Sequence, residues 1–255
     1  MEQWKLCLKA MSDGLIVENV FRMKIYRNLS SSYYQLGEIK QAIVYYREAA
    51  LMAEKTQEDT DLASICWGLG ACYRSEKNYP QAKISLLKGI NLYKKLGDEK
   101  AVAALDNLLG CVLLDNDEAT EAERYLLEAN EISVRINDDL ILAYNYVNLA
   151  YLYYELRLWD KAQSNSKLAI RNTRQAGDKL NLGLSLSQLA RVKLEIDEKE
   201  KALKLFEEAI NVLETTDSKE ATKKVYLRYA EALEDMGRMQ EAAQKYRKAN
   251  ELVKV

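Results

Sequence analysis

Four side-chain amides, Asn28, Asn107, Asn148 and Gln188, carry the most pointed chemistry in this chain. A carboxamide holds N–H donors and a carbonyl acceptor in one group, so a ladder of them can pair with the backbone of an extended peptide. Arg27, Arg74, Arg191 and Arg228, with Lys24, offer cations for acidic side chains or a terminal carboxylate. Trp67, Tyr144, Tyr151 and Tyr154 supply flat apolar area at low entropy cost. None of this makes or breaks bonds. Histidine is absent, which removes the usual general base near neutral pH. No GxGxxG or other phosphate-cradling loop occurs, and Asp115, Asp117 and Glu118 do not follow the ordered calcium-loop pattern. Cys7, Cys66, Cys72 and Cys111 form no CxxC pair, so zinc is not expected, and buried free thiols are. The sequence assigns no catalytic residue, metal ligand or cofactor.

Whether those amides, arginines and aromatics act together depends on the elements that carry them. A fixed period answers this. Ala42, Ala82, Ala122, Ala162, Ala202 and Ala242 follow one another at 40-residue steps. Seven residues after each stands a second small residue: Ala49, Gly89, Ala129, Ala169, Ala209 and Ala249. Twelve residues before each stands a third: Ser30, Gly70, Gly110, Ala150, Ala190 and Ala230. Helices approach closely only where side chains are small, so these series mark helix crossings, and the large neighbours such as Leu29, Leu69 and Leu109 are the knobs between them. Ala202, Leu205, Phe206 and Ala209 lie on one helical stripe. Turns fall at Gly37-Glu38, Lys77-Asn78 and Gly237-Arg238 within a repeat, and at Gly97-Asp98, Asn137-Asp138 and Gly177-Asp178 between repeats. Gly or Asn suits a left-handed residue there, and the following Asp can cap the next helix.

The run Leu69-Gly70-x₂-Tyr73 followed by Ala82-x₃-Leu86-x₂-Gly89 resembles the tetratricopeptide repeat (TPR) signature, as does Ala202-x₃-Phe206-x₂-Ala209. Two departures stand out: the unit has 40 residues instead of about 34, and the terminal proline of the pattern is missing. Units of this length are similar to those of spindle-orientation adaptors, kinesin light chains and bacterial peptide-pheromone sensors of the Rap/NprR/PlcR type. The resemblance implies an all-α, right-handed TPR superhelix, an α-solenoid of six helical hairpins plus one N-terminal helix. The expected layout is a single solenoid over 1–255, with a helix and lead-in at 1–21 and repeats at 22–61, 62–101, 102–141, 142–181, 182–221 and 222–255. It also implies that the first helix of each hairpin lines a concave face. On that face it puts Asn28, Asn107, Asn148 and Gln188 as amides, Arg27, Arg74, Arg191 and Arg228 as cations, and Trp67, Tyr144 and Tyr151 as apolar contacts. Other tyrosines, including Tyr46, Tyr73, Tyr153 and Tyr246, read as packing residues.

The net charge of −2 and pI near 5.6 argue against a nucleic-acid binder. No apolar run suits a membrane span, and the N-terminus has Lys5 and Lys9 where a signal peptide would be apolar, so the cytoplasm is the expected compartment. An unpartnered N-terminal helix and an uncapped end at Leu252 and Val253 point to excision from a longer protein or to pairing of ends in a homodimer. The expected function is a ligand-sensing module of a bacterial regulator holding a short peptide in the concave groove. The alternative is a constitutive scaffold that joins larger proteins.

Overall fold

The computed structural model describes residues 19–252, together with Leu6, Lys9 and Ala10. The helix expected at 1–13 and the end at Val253 fall outside the described residues apart from those three. Among the described residues the chain is all-α, as the repeat predicts. Its helices are α1 (Asn19–Gln35), α2 (Ile39–Thr56), α3 (Asp59–Ser75), α4 (Tyr79–Leu96), α5 (Glu99–Asp115), α6 (Ala119–Arg135), α7 (Asp139–Glu155), α8 (Trp159–Gln175), α9 (Lys179–Glu195), α10 (Lys199–Leu213), α11 (Lys219–Asp235) and α12 (Met239–Glu251). They form six hairpins, each an odd-numbered A helix followed by an even-numbered B helix.

The local causes recur with the period. Gly37, Lys77, Asp117, Arg157, Asp197 and Gly237 all have positive φ at the turn inside each hairpin. Gln57, Gly97, Asn137 and Gly177 do the same between hairpins. At Gly37 the N–H of Glu38 reaches the carbonyl of Tyr33 and that of Gly37 reaches Tyr34, which satisfies carbonyls left open at the helix end. The next helices start on side-chain caps: Asp98, Asp138 and Asp178 accept from the backbone N–H of Ala101, Ile141 and Asn181. Helices consequently begin about three residues before the register boundaries read from sequence (Asp59 against 62, Glu99 against 102).

All three series of small residues are buried. A Cβ added at Gly70 would fall inside the Leu86 side chain, and one at Gly110 inside Leu126. These glycines let A and B helices close up. Packing divides the chain into two compact units, one ending at Ile132 and the other beginning at Ser133. In unit 1 the A helices α1 and α3, and α3 and α5, lie side by side. Its cores gather Met23, Tyr46, Ile65 and Leu69 in one cluster and Leu86, Leu105, Leu109 and Leu113 in another. In unit 2 the A helices α7 and α9, and α9 and α11, adjoin, and the largest core cluster surrounds Phe206, which stacks on Tyr229 at 5.4 Å. The A helices therefore form their own layer in each unit, and residues on its outward side are the candidates for binding.

Candidate binding face

The A-helix layer of unit 1 ties its arginines to its own carboxylates. Arg27 of α1 donates from Nη1 to Oδ1 of Asp61 on α3, and its Nη2 reaches Oδ1 of Asn28 at 3.5 Å. Asp61 is buried, so the pair is shielded. Arg74 of α3 donates from Nε to Oδ2 of Asp115 on α5 at 2.7 Å. These two helices border a cleft of about 340 Å³ with Tyr34, Ala71 and Leu108 on its walls. Trp67 is exposed, while Asn28 and Asn107 are half-buried. Cys66, Cys72 and Cys111 are buried free thiols whose pKa values burial pushes up to about 11, 12 and 11, so they stay protonated and unreactive at neutral pH.

Unit 2 carries its arginines at other register positions of the A helices and surrounds them differently. The Arg191 guanidinium of α9 lies over the Tyr154 ring of α7 at 3.9 Å, and its Nη1 donates to Oε1 of Gln188 at 3.0 Å. The carboxylate nearest to it is Glu155, at 3.8 Å. Tyr154 donates its hydroxyl to Glu195 at 2.8 Å and packs edgewise on Trp159. Arg228 of α11 reaches Oγ of Ser187 at 3.4 Å, and no ion pair joins it to a carboxylate among the described residues. Burial, then the neighbouring Arg191 charge, lowers its pKa. Lys224 is lowered by burial and by Arg228 and Arg191 in turn. A cleft of about 380 Å³ opens here, bordered by Tyr154, Arg191, Arg228, Glu195 and Glu231. On α7, Tyr151 is 41% exposed and Asn148 is half-buried. Tyr144 sits beside Asp178, and burial with that charge raises its pKa.

The amides expected as a ladder thus divide between the units, Asn28 and Asn107 in one and Asn148 and Gln188 in the other. Gln188 is only 5% exposed and has its carbonyl engaged by Arg191, so it lies beneath the surface on which an exposed rung was expected. The sequence reading missed the acids Asp61 and Asp115 that neutralise the unit 1 arginines. Asp115 follows an offset that recurs, since Arg74–Asp115, Tyr154–Glu195 and Ser187–Arg228 are each 41 residues apart, whereas Asp61 lies 34 residues from Arg27 and does not.

A family model described as Tetratricopeptide repeat matches residues 21–95 and 139–215, more than half of the chain, and a second of the same description matches 223–252. The chain belongs to the tetratricopeptide repeat family. Its fold is similar to that of aspartyl phosphate phosphatase F from Bacillus subtilis, with TM-score 0.76 and 15% identity over 94% of this chain and 62% of that one. A STAND signal-transduction ATPase with a tetratricopeptide repeat sensor, from Pyrococcus horikoshii, aligns at TM-score 0.78 and 20% identity over 97% of this chain and 38% of its own length. The Rap conjugation gene regulator of plasmid pLS20, in complex with the Phr* peptide, aligns at TM-score 0.68 and 15% identity over 90% and 73%. The chain spans less than two thirds of the first two. No curated protein matches it in sequence. The likeness to Rap-type proteins suggested by the 40-residue unit is thereby met at the level of fold.

Proposed function

We propose that this chain is a non-catalytic module that binds an extended peptide on its A-helix layer, and that it serves as the ligand-sensing region of a bacterial cytoplasmic regulator. The observation that carries this reading is in unit 2. There a row of A helices presents an amide at Asn148, an exposed ring at Tyr151 and the Tyr154–Arg191 stack beside an open cleft. Such a surface has backbone-pairing groups and flat apolar area together, which is what a short peptide without structure of its own needs. The Rap regulator crystallised with a peptide and the ATPase carrying a repeat sensor lend support by likeness of fold.

The test is capture of labelled heptapeptides, degenerate in sequence, by the purified chain. Asn148→Ala is expected to weaken capture by about tenfold, the scale of one lost hydrogen bond of about 1.4 kcal/mol, with the melting temperature unchanged. Unchanged capture by Asn28→Ala/Asn148→Ala would remove the amides from the mechanism. No capture by any pool would end the peptide reading.

The scaffold reading has one observation in its favour. Val44 and Ile84, one repeat apart on the B helices of unit 1, are 54% and 59% exposed, and Leu51 is 53% exposed. Apolar side chains at matching positions suit a partner protein's flat surface. Under this reading Val44→Ser/Ile84→Ser abolishes binding of the partner and leaves peptide capture intact.

A further inference from the structure

The turns that close the three hairpins of unit 2 carry an apolar row at one edge of the unit. Leu156, Ile196 and Met236 each follow the last residue of an A helix, one repeat apart. Leu156 and Ile196 are exposed and Met236 is half-buried. Leu158 and Met239, on the B-helix side of the same turns, are exposed as well. The row is continuous, because α9 adjoins both α7 and α11, and Tyr154, Glu195 and Met236 border one cleft at the ends of these helices. In unit 1 the same position reads Leu36, Glu76 and Asn116, so the row is broken there. Leu158 also departs from a local rule. It is the N-cap of α8 and offers the first turn no side-chain acceptor, where the other hairpins place Glu38, Asn78, Glu118, Glu198 and Arg238. Leucine is among the poorest N-caps, so helix stability does not select it, and local rules are broken where a surface has another use.

We propose that this edge docks a basic amphipathic helix of a partner protein. Charge identifies the partner. Glu155, Glu195 and Asp235 end the three A helices directly before the apolar row, and Asp160, Asp197 and Glu200 follow it. Over residues 155–160, 195–200 and 235–240 the bases are Arg157, Lys199 and Arg238, fewer than the acids. Two of them are already paired, Lys199 with Asp197 and Arg238 with Glu241. Asp160 and Asp235 take part in no ion pair among the described residues. The same acids repel anionic lipid and nucleic acid. Spacing identifies the partner's conformation. Adjoining helices lie about 8–10 Å apart. Seven residues of α-helix rise about 10.5 Å and return to nearly the same face, so side chains at i, i+7 and i+14 meet Leu156, Ile196 and Met236 in turn. Three residues of extended chain cover about the same distance but turn the third side chain to the opposite face. The claim is independent of the peptide reading, since Asn148 and Tyr151 lie about one to two turns earlier on α7.

The probe is a fluorescein-labelled peptide of about three heptads, with leucine at every seventh place, lysine on both sides of each leucine, and alanine and glutamine elsewhere. Its binding to the full chain is read by fluorescence anisotropy. One control peptide keeps the composition and moves the leucines off the heptad; the other replaces the lysines with glutamate. The first peptide is expected to bind saturably and both controls at least about tenfold more weakly. Leu156→Ser/Ile196→Ser is expected to raise Kd at least about tenfold, and Asp160→Lys/Asp235→Lys to do so by charge alone. All four side chains are exposed, so both variants should keep the melting temperature of the parent. Leu36→Ser, at the matching turn of unit 1, should leave Kd unchanged. The proposal is overturned if no basic peptide binds, if the peptide with displaced leucines binds equally well, or if either edge variant keeps the parent Kd. It is overturned too if the parent sediments as a dimer that Leu156→Ser/Ile196→Ser converts to monomer, since the occupant would then be a second copy of this chain.

Discussion

Unit 1 and unit 2 are built on one repeat, yet they treat the arginines of their A helices in opposite ways. In unit 1, Arg27 and Arg74 each meet a carboxylate from the next A helix, Asp61 and Asp115. In unit 2, Arg228 meets a hydroxyl and Arg191 a ring and an amide, with a carboxylate only at 3.8 Å. The same residue type in the same layer therefore does two jobs. Where the partner is internal, the arginine holds neighbouring repeats together. Where no carboxylate is close, the guanidinium rests on a hydroxyl, a ring or an amide instead. The two units differ again within their cores. Asp106 of α5 is 1% exposed with neither carboxylate oxygen hydrogen-bonded, while the equivalent positions of unit 2 hold Tyr146, Leu186 and Tyr226, and the Tyr226 hydroxyl reaches Glu214.

The largest expected effect is on the internal pair. Arg27→Gln leaves the buried Asp61 carboxylate without its guanidinium, and losing one partner of a shielded pair is expected to cost about 2 kcal/mol in urea unfolding at neutral pH. A change under about 0.5 kcal/mol would mean that water already compensates Asp61, and the contrast between units would weaken.

Much of this architecture was legible in the sequence, and the part that was not has a physical cause. The crossings follow from small residues at fixed spacing, because a helix approach needs small side chains whatever surrounds it. The caps Asp98, Asp138 and Asp178 and the left-handed turns follow for the same reason: they are local. The one inter-repeat turn that departs, at Thr215–Ser218, also has a local cause, since Thr215 and Thr216 donate their hydroxyls to Val212 and Leu213 and end α10 early. The ion pairs were not legible from helix spacing, because Arg27–Asp61 and Arg74–Asp115 join residues 34 and 41 apart, offsets set by how one hairpin is placed on the next. The burial of Gln188 depends likewise on α9 lying between two other A helices.

Asp106 gives the next largest effect, and it is pH-dependent. Burial raises its pKa to about 7, with Lys94 and Arg124 opposing and Glu128 adding to the shift. An unfolded aspartate titrates near about 3.9. Below that pH the group is protonated in both states and carries no penalty. Between the two values the folded chain keeps a proton that the unfolded chain has released, so stability falls as pH rises, and above about 7 the loss is complete and constant. Asp106→Asn keeps the shape and removes the charge. Its unfolding free energy in urea is expected to match the parent near pH 4 and to exceed it by at least about 1 kcal/mol at pH 8. Equal gaps at both pH values would show that Asp106 does not titrate in this window.

The finest comparison sets Arg74→Gln against Arg228→Gln. Arg74 and Asp115 are both more than a third exposed, so breaking that pair is expected to cost only about 0.5 kcal/mol. Arg228→Gln should have the other sign. It removes a cation that Arg191 and Lys224 repel and that has no carboxylate of its own, so a gain of about 0.5 kcal/mol is expected at low salt. Salt discriminates the causes: at about 0.5 M sodium chloride the screening length falls to a few ångströms and the gain should shrink toward zero. A loss that persists in salt would mean that Arg228 is tied down as firmly as Arg27. The two units would then use their arginines alike, and the charge in unit 2 would belong to the fold.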